Sequence, residues 1–351
     1  MSHGVTAQTA ARPVRREERE SSTTERAEPD PLMQTPCPAG PAPTDAGEDA
    51  LRGERAVGAV TRLKFELVRS FLALWARCFS LSGLYALGQF FGTCEYLVDI
   101  RRRRRVGARL RQIFPEGLPL VRRQRITWRY FRRIRCDKMI YLILDKLPRE
   151  KLLRRIRWSG REHLDAALRR NRGAYIMLSH YGSHHVAGFM MALLGYRLAG
   201  VRDPKEAALR RYVQQKFAET LPEAAAMRMF YADTFPRAIY REFRENRTVC
   251  TALDVDRFRG ERLRTCPVTI FGQRKEFLTG TLQIALRVGA PVMQAFMLSR
   301  RNYYYRWELS APLLDPGVQQ DDPDTVARIM QTYADNIERH AHTHPCHLMK
   351  I

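Results

Sequence analysis

The chain has little cysteine and few uninterrupted apolar runs, and one long stretch has almost no acid. Seven cysteines (Cys37, Cys78, Cys94, Cys136, Cys250, Cys266 and Cys346) are odd in number and scattered over 351 residues. No two stand at C-x-x-C spacing, so neither a disulfide framework nor a cysteine zinc site is indicated. A reducing, cytosol-facing location fits best. The first residues lack the basic, apolar and small-residue succession of a secretory signal. The charge-free run Cys78–Cys94 is interrupted by Ser80, Ser82, Gly83, Gly88, Gln89 and Gly92 and bracketed by Arg77 and Glu95. Its length is that of the shortest spanning helix. A helix lying in the membrane interface, or a hydrophobic dock for lipid, fits those interruptions best. Plain core helices and a transmembrane span are the alternatives.

Acid is scarcest between Arg101 and Arg135, where fourteen arginines face the single acid Glu116. The formal net charge of +23 predicts an anionic partner, either a nucleic acid or an anionic membrane surface. Residues 174–295 have an ordinary mixture of charges, so the basic excess belongs mainly to one flank.

Residues 1–56 are rich in Pro, Ser, Thr, Glu and Arg and poor in aliphatic side chains. Such a segment cannot bury enough apolar surface to offset its ordering entropy and reads as a disordered leader. Residues 57–150 read as a membrane-associated, arginine-rich helical region. Val60, Leu63, Phe65, Leu67, Val68, Phe71, Leu72, Leu74 and Trp75 give it a strong apolar face. Arg101–Arg105, with Arg109 and Arg111, stand directly beside apolar sequence, and each such arginine contributes about 1 kcal/mol at an anionic leaflet. Trp128, Tyr130 and Phe131 are interleaved with Arg125, Arg129, Arg132 and Arg133, an arrangement that also occurs on nucleic-acid stacking surfaces. Helical spacing explains these aromatics as a packed face equally well. No recognised motif accompanies the charge, so no specific nucleic-acid partner is expected.

Residues 151–351 alternate between the two periodicities. Strands are expected at 174–179, 196–201, 227–231, 248–253, 268–271 and 291–298. Helices are expected at 161–169, 184–194, 204–221, 234–245, 278–288 and 324–340. The alternation predicts an α/β domain, a mixed sheet flanked by helices. Within it, Tyr175-Ile-Met-Leu-Ser-His180 delivers a histidine to the carboxyl end of a strand, where open α/β sheets place their chemistry. Gly182 and Ser183 then turn the chain into a helix. Asp254 and Asp256 alternate at strand spacing and share a face. Bland readings stand beside these: His180 as a hydrogen-bonded core histidine, Arg202 paired with Asp203, and Asp254 or Asp256 paired with Arg257 or Arg259. The histidines of His340–His344, with Cys346 and His347, read as adventitious ligands, and no metal is expected.

Several segments in collinear order resemble the lipid A biosynthesis acyltransferase family, a branch of the lysophospholipid acyltransferase superfamily. They are Trp158–Leu168 with Arg172–His180, Ala199-Gly-Val-Arg202, Ala252-Leu-Asp-Val-Asp256, Thr269–Gly272, Thr279-Gly-Thr281, Gly289-Ala-Pro291 and His344-Pro345. The likeness covers about residues 100–351 and implies a glycerolipid acyltransferase-like fold. It also implies transfer of a fatty acyl group to a hydroxyl of a lipid or glycolipid at the cytoplasmic face of the bacterial inner membrane. The co-substrate would be an acyl-carrier-protein or acyl-CoA thioester, with no further cofactor. His180 is then the general base, and Arg202, Asp254 and Asp256 serve substrate placement.

The family carries an acidic residue five positions after the histidine to orient it, and His185 stands there in this chain. We therefore place His185 with His180 in the expected catalytic pair. A neutral imidazole accepts a hydrogen bond but brings no negative charge. Either a carboxylate from elsewhere, Asp254 or Asp256, reaches the histidine, or the protein is a catalytically impaired homologue that binds lipid or a partner protein.

Overall fold

In the computed structural model, residues 58–202, 208–231, 236–255, 263–314 and 322–348 are described. Arg202 and Tyr231 are described through their backbone alone. The expected leader and Asp256 lie outside the described residues.

The amino-terminal half of the described chain is helical: α1 (Ala59–Cys78), α2 (Ser80–Val98), α3 (Ile100–Ile113) and α4 (Leu120–Tyr141). The carboxylate of Asp99 caps α3 by accepting the Arg102 backbone N–H at 2.9 Å. Val106, Leu110 and Ile113 then recur at helical spacing and are buried. The glycines of the charge-free run have a packing role. Leu81, Leu84, Gly88 and Gly92 form the buried stripe of α2. A side chain added at Gly92 would stand 2.5 Å from the Arg132 Cα, so the backbones of α2 and α4 touch there. No helix among the described residues is long and apolar enough to cross a membrane. The run is half core, and its other face, with Phe90 and Phe91, is exposed.

The aromatics of the arginine-rich segment also face inward. Phe131 and Tyr130 are buried, with the Arg102 guanidinium over both rings. Trp128 donates its indole N–H to Thr93 at 3.1 Å and lies under Arg132. The packed-face reading of these rings is the one the structure adopts. Seven of the fourteen arginines, namely Arg101, Arg104, Arg105, Arg111, Arg122, Arg125 and Arg129, are exposed.

After the short helix α5 (Arg149–Leu153), the described residues form nine strands and further helices: β1 (Ile156–Ser159), α6 (Arg161–Leu168), β2 (Ala174–Leu178), α7 (His184–Leu193), β3 (Leu198–Arg202), α8 (Ala208–Thr220), α9 (Pro222–Ala225), β4 (Arg228–Tyr231), α10 (Pro236–Arg244), β5 (Thr248–Ala252), β6 (Thr265–Ile270), β7 (Gln273–Leu278), α11 (Gly280–Arg287), β8 (Val292–Ser299), β9 (Tyr305–Leu309) and α12 (Pro323–Thr343). Seven strands form a mixed sheet in the order β1-β9-β8-β2-β5-β3-β4, and β6 with β7 makes a separate antiparallel hairpin. Only β8–β9 is antiparallel within the large sheet, so β8, β2, β5, β3 and β4 run in one direction.

Both faces of the sheet are covered. Tyr175 and Met177 of β2, with Val292, Phe296 and Leu298 of β8, join a core shared with α10, α11 and α12. The alternate residues Ala174 and Ile176, with Met293, Ala295 and Met297, join a second core shared with α1, α2, α4, α7 and α8. This two-residue alternation on strands buried on both sides explains why β2 and β8 read as continuous apolar runs. Strands β1, β7 and β9 were not among those expected from the sequence. The six described cysteines are all unpaired.

Candidate active site

The register of the central strands brings a histidine and a carboxylate together. β2 pairs in parallel with β5 from Ala174↔Thr248 to Leu178↔Ala252. Two residues beyond that last pair on each strand stand His180 and Asp254, so equal steps off adjacent strands bring them to the same level. The His180 Nδ1 lies 3.0 Å from Asp254 Oδ1, and the His180 backbone N–H donates to Asp254 Oδ2 at 2.7 Å. A carboxylate only accepts, so Nδ1 carries the proton and Nε2 the lone pair. The His180 side chain keeps 19% of its surface accessible and that of Asp254 only 4%. The imidazole thus keeps part of its surface open while the carboxylate lies buried.

The backbone around His180 is fixed locally. Gly182, at φ +71°, turns the chain against β8, where any Cβ would collide with the Met297 carbonyl oxygen at 2.1 Å. Its N–H donates to the His347 carbonyl at 2.9 Å, and the Ser183 N–H donates to Met297 O at 2.8 Å. On the other side of His180, the Tyr333 hydroxyl of α12 donates to the Leu178 carbonyl at 2.6 Å. Burial and the nearby Asp254 charge push the Tyr333 phenol well above its ordinary pKa, so it remains a donor.

His185 is placed elsewhere. Its ring stands edge-on to Tyr141 of α4 at 4.8 Å and against His184 at 5.4 Å. The ring that packs against His180 is that of His184, also at 5.4 Å. Burial pushes the His185 imidazole down to about 3, and the Arg210, Arg133 and Lys138 cations push in the same direction. It is a neutral ring at neutral pH. The carboxylate facing His180 comes from Asp254, a residue the sequence assigned to substrate placement and also offered, with Asp256, as the carboxylate that could reach His180.

Arg202 ends β3. The register Gly200↔Cys250 sets its backbone level with Ala252, at the same carboxyl edge of the sheet as His180 and Asp254. The carboxyl-terminal histidines are engaged with that edge too. The carbonyls of His340 and His344 accept the Tyr181 hydroxyl, and His347 Nε2 lies 3.2 Å from the Ser299 carbonyl. The sequence reading named Ser183 only as a turn residue and did not single out Tyr333 or Asp137 of α4. Only Asp137 left a signal, as the first acid after the arginine run and four residues beyond Arg133.

No curated protein matches the chain. The model of the bacterial lipid A biosynthesis acyltransferase family matches residues 61–347, which include every described element from α2 to α12. The His180–Asp254 edge of this sheet is thus the candidate centre of a chain that belongs to the bacterial lipid A biosynthesis acyltransferase family.

Proposed function

We propose that this protein transfers a fatty acyl group from an acyl thioester to a hydroxyl of a lipid or glycolipid at a membrane surface. The acyl carrier would be a carrier protein or coenzyme A. Family membership supports acyl transfer in general. The observation that carries the reaction is the His180–Asp254 pair, because it presents a basic nitrogen backed by a carboxylate.

A hydroxyl is a weak nucleophile at neutral pH. In the proposed step, Nε2 of His180 takes the hydroxyl proton as the oxygen attacks the thioester carbonyl. The new C–O bond forms, the tetrahedral intermediate collapses, and the C–S bond breaks. The imidazolium then returns its proton to the departing thiolate. Asp254 holds the productive tautomer and stabilises the transient imidazolium. The equivalent carboxylate in a serine protease is worth about 10⁴-fold in turnover. Arg202, at the same sheet edge, is proposed to meet an anionic group of the acceptor, since a guanidinium fork suits phosphate oxygens. Asp256 is proposed to serve substrate placement. His185 is proposed to support the site by packing against Tyr141, with no proton transfer of its own.

The membrane part of the proposal rests on the outer face of the helical region. Val60, Leu63, Leu67, Phe71 and Leu74 recur at three- and four-residue spacing along α1, and all are at least half exposed. With the exposed arginines of α3 and α4, this apolar stripe suits an anionic leaflet at the cytoplasmic face of an inner membrane. The reading of the chain as an impaired, binding-only homologue drew its force from the missing acid at position 185. A carboxylate on His180 Nδ1 removes that ground.

The test is incorporation of a labelled acyl group from acyl-carrier-protein or acyl-CoA into membrane lipids. Wild type transfers, and His180→Ala loses at least about 10³-fold while remaining folded. Equal transfer by the two proteins would refute the reading.

A further inference from the structure

Asp137 is a buried carboxylate that the acyl-transfer step leaves unused. It lies on α4, in the region the sequence assigned to the membrane, yet its Oδ2 faces the site. That oxygen accepts from Arg133 Nη1 at 2.8 Å, from Ser183 Oγ at 2.6 Å and from Ser299 Oγ at 3.3 Å. Burial raises the Asp137 carboxyl and Arg133 opposes that rise most. Arg133 is itself buried and spends its other nitrogens on the carboxyl-terminal segment. Its Nε donates to the Cys346 carbonyl at 2.9 Å and its Nη2 to that of His347 at 3.5 Å. The His347 carbonyl in turn accepts the Gly182 N–H. The turn that follows His180 is therefore bound by α4 and by the carboxyl-terminal segment, with Ser183 held by Asp137 and Gly182 by the segment that Arg133 grips.

Ser183 makes the point sharply. It occupies the N-cap position of α7, where a serine hydroxyl ordinarily accepts a helix N–H, but it makes no such bond. Its hydroxyl is given to Asp137 instead. We infer that the buried Arg133–Asp137 pair is a positioning element for His180, acting through Ser183 and Gly182, so that the helical region forms part of the acyl-transfer site. This rests on the reading of His180 as the base. Neither residue touches the reacting atoms, and Arg133 is withdrawn from the arginines that face a membrane. A turn released by one bond lets His180 drift relative to Asp254 and to the acceptor, and a displacement of about 1 Å costs on the order of 10²-fold in rate.

Asp137→Asn leaves Arg133 buried beside a neutral group and risks the fold, so the informative variant is Ser183→Ala, which keeps the ion pair. Two readouts are taken on the full chain: kcat and KM for acyl transfer, and the downfield NMR resonance of the His180 Nδ1 proton, assigned by its absence in His180→Ala. We expect Ser183→Ala to lower kcat by about 10- to 100-fold with KM within about twofold, and to shift or broaden the Nδ1 resonance. An unchanged kcat with an unchanged resonance overturns the inference, as does a loss confined to KM. If wild type transfers no acyl group, the acyl-transfer reading fails separately and the resonance decides. Perturbed by Ser183→Ala, it upholds the positioning role of the network; unperturbed, it ends it.

Discussion

The helical region and the sheet region differ in what they turn outward: both bury an ion pair, Glu242 with Arg247 at 3.2 Å in the sheet region, but the exposed apolar stripe belongs to the helical region. In the sheet region apolar side chains alternate inward, and the paired ionisable groups His180 and Asp254 gather at the carboxyl edge of the strands. The helical region turns apolar side chains outward along α1 and takes charge inward. Arg69 of α1, with an inaccessible side chain, bonds Asp145 at 2.7 Å, and Arg133 bonds Asp137 at 2.8 Å. One region is organised around its own interior. The other keeps an apolar outer face, and its buried ion pairs tie α1 to the segment after α4 and α4 to the turn after β2. Composition alone could not separate a buried arginine from an exposed one.

Breaking an inward pair of the helical region gives the largest stability effect. Asp145→Ala leaves the buried Arg69 guanidinium with Glu66 at 4.0 Å as its remaining ion-pair contact and with Nε and Nη1 that already have no hydrogen-bond partner. Denaturant unfolding should show a loss of about 3–5 kcal/mol, the usual result of removing one member of a buried pair. A loss under about 1 kcal/mol would mean that these charges are solvated and do not hold the helical region together.

The outward apolar face predicts the reverse. A Leu63→Glu, Leu67→Glu, Leu74→Glu variant of α1 should unfold within about 1 kcal/mol of wild type, because these side chains are at least 61% exposed. Its binding to vesicles containing anionic phospholipid should fall by at least about tenfold in a flotation assay. Undiminished binding would remove α1 from the membrane surface.

A smaller effect sharpens the account of His185. Its folded pKa of about 3 lies below the value near 6.5 of an unfolded histidine. The stability it contributes is full above about pH 6.5 and is lost as pH falls toward 3. His347, buried and also held well below its ordinary value, acts in the same direction. His185→Gln should therefore show a smaller fall in Tm between pH 7 and pH 4 than wild type does, by thermal unfolding at both pH values.

Much of the sheet was legible because β2, β5 and β8 are apolar runs bounded by turn residues, and burial on both faces forces that pattern. β7, Gln273-Arg-Lys-Glu-Phe-Leu278, was missed because most of its side chains meet solvent, which leaves charge in place of an apolar signal. β9, Tyr305-Arg-Trp-Glu-Leu309, alternates buried and exposed side chains and carried a two-residue period that was readable but passed over. At the site, His180 was legible from its place at a strand end. Its partner was legible only as one of two carboxylates, Asp254 or Asp256, able to reach it, because local spacing pointed to position 185, whereas the bond to Asp254 depends on the β2–β5 register, a 74-residue separation that no local window contains.

The most direct test sets Asp254→Asn beside His185→Gln and measures kcat for acyl transfer with the same donor and acceptor. The account predicts a fall of about 10³- to 10⁴-fold for Asp254→Asn and less than about tenfold for His185→Gln. A crippled His185→Gln with an active Asp254→Asn would contradict it and return the partner of His180 to position 185.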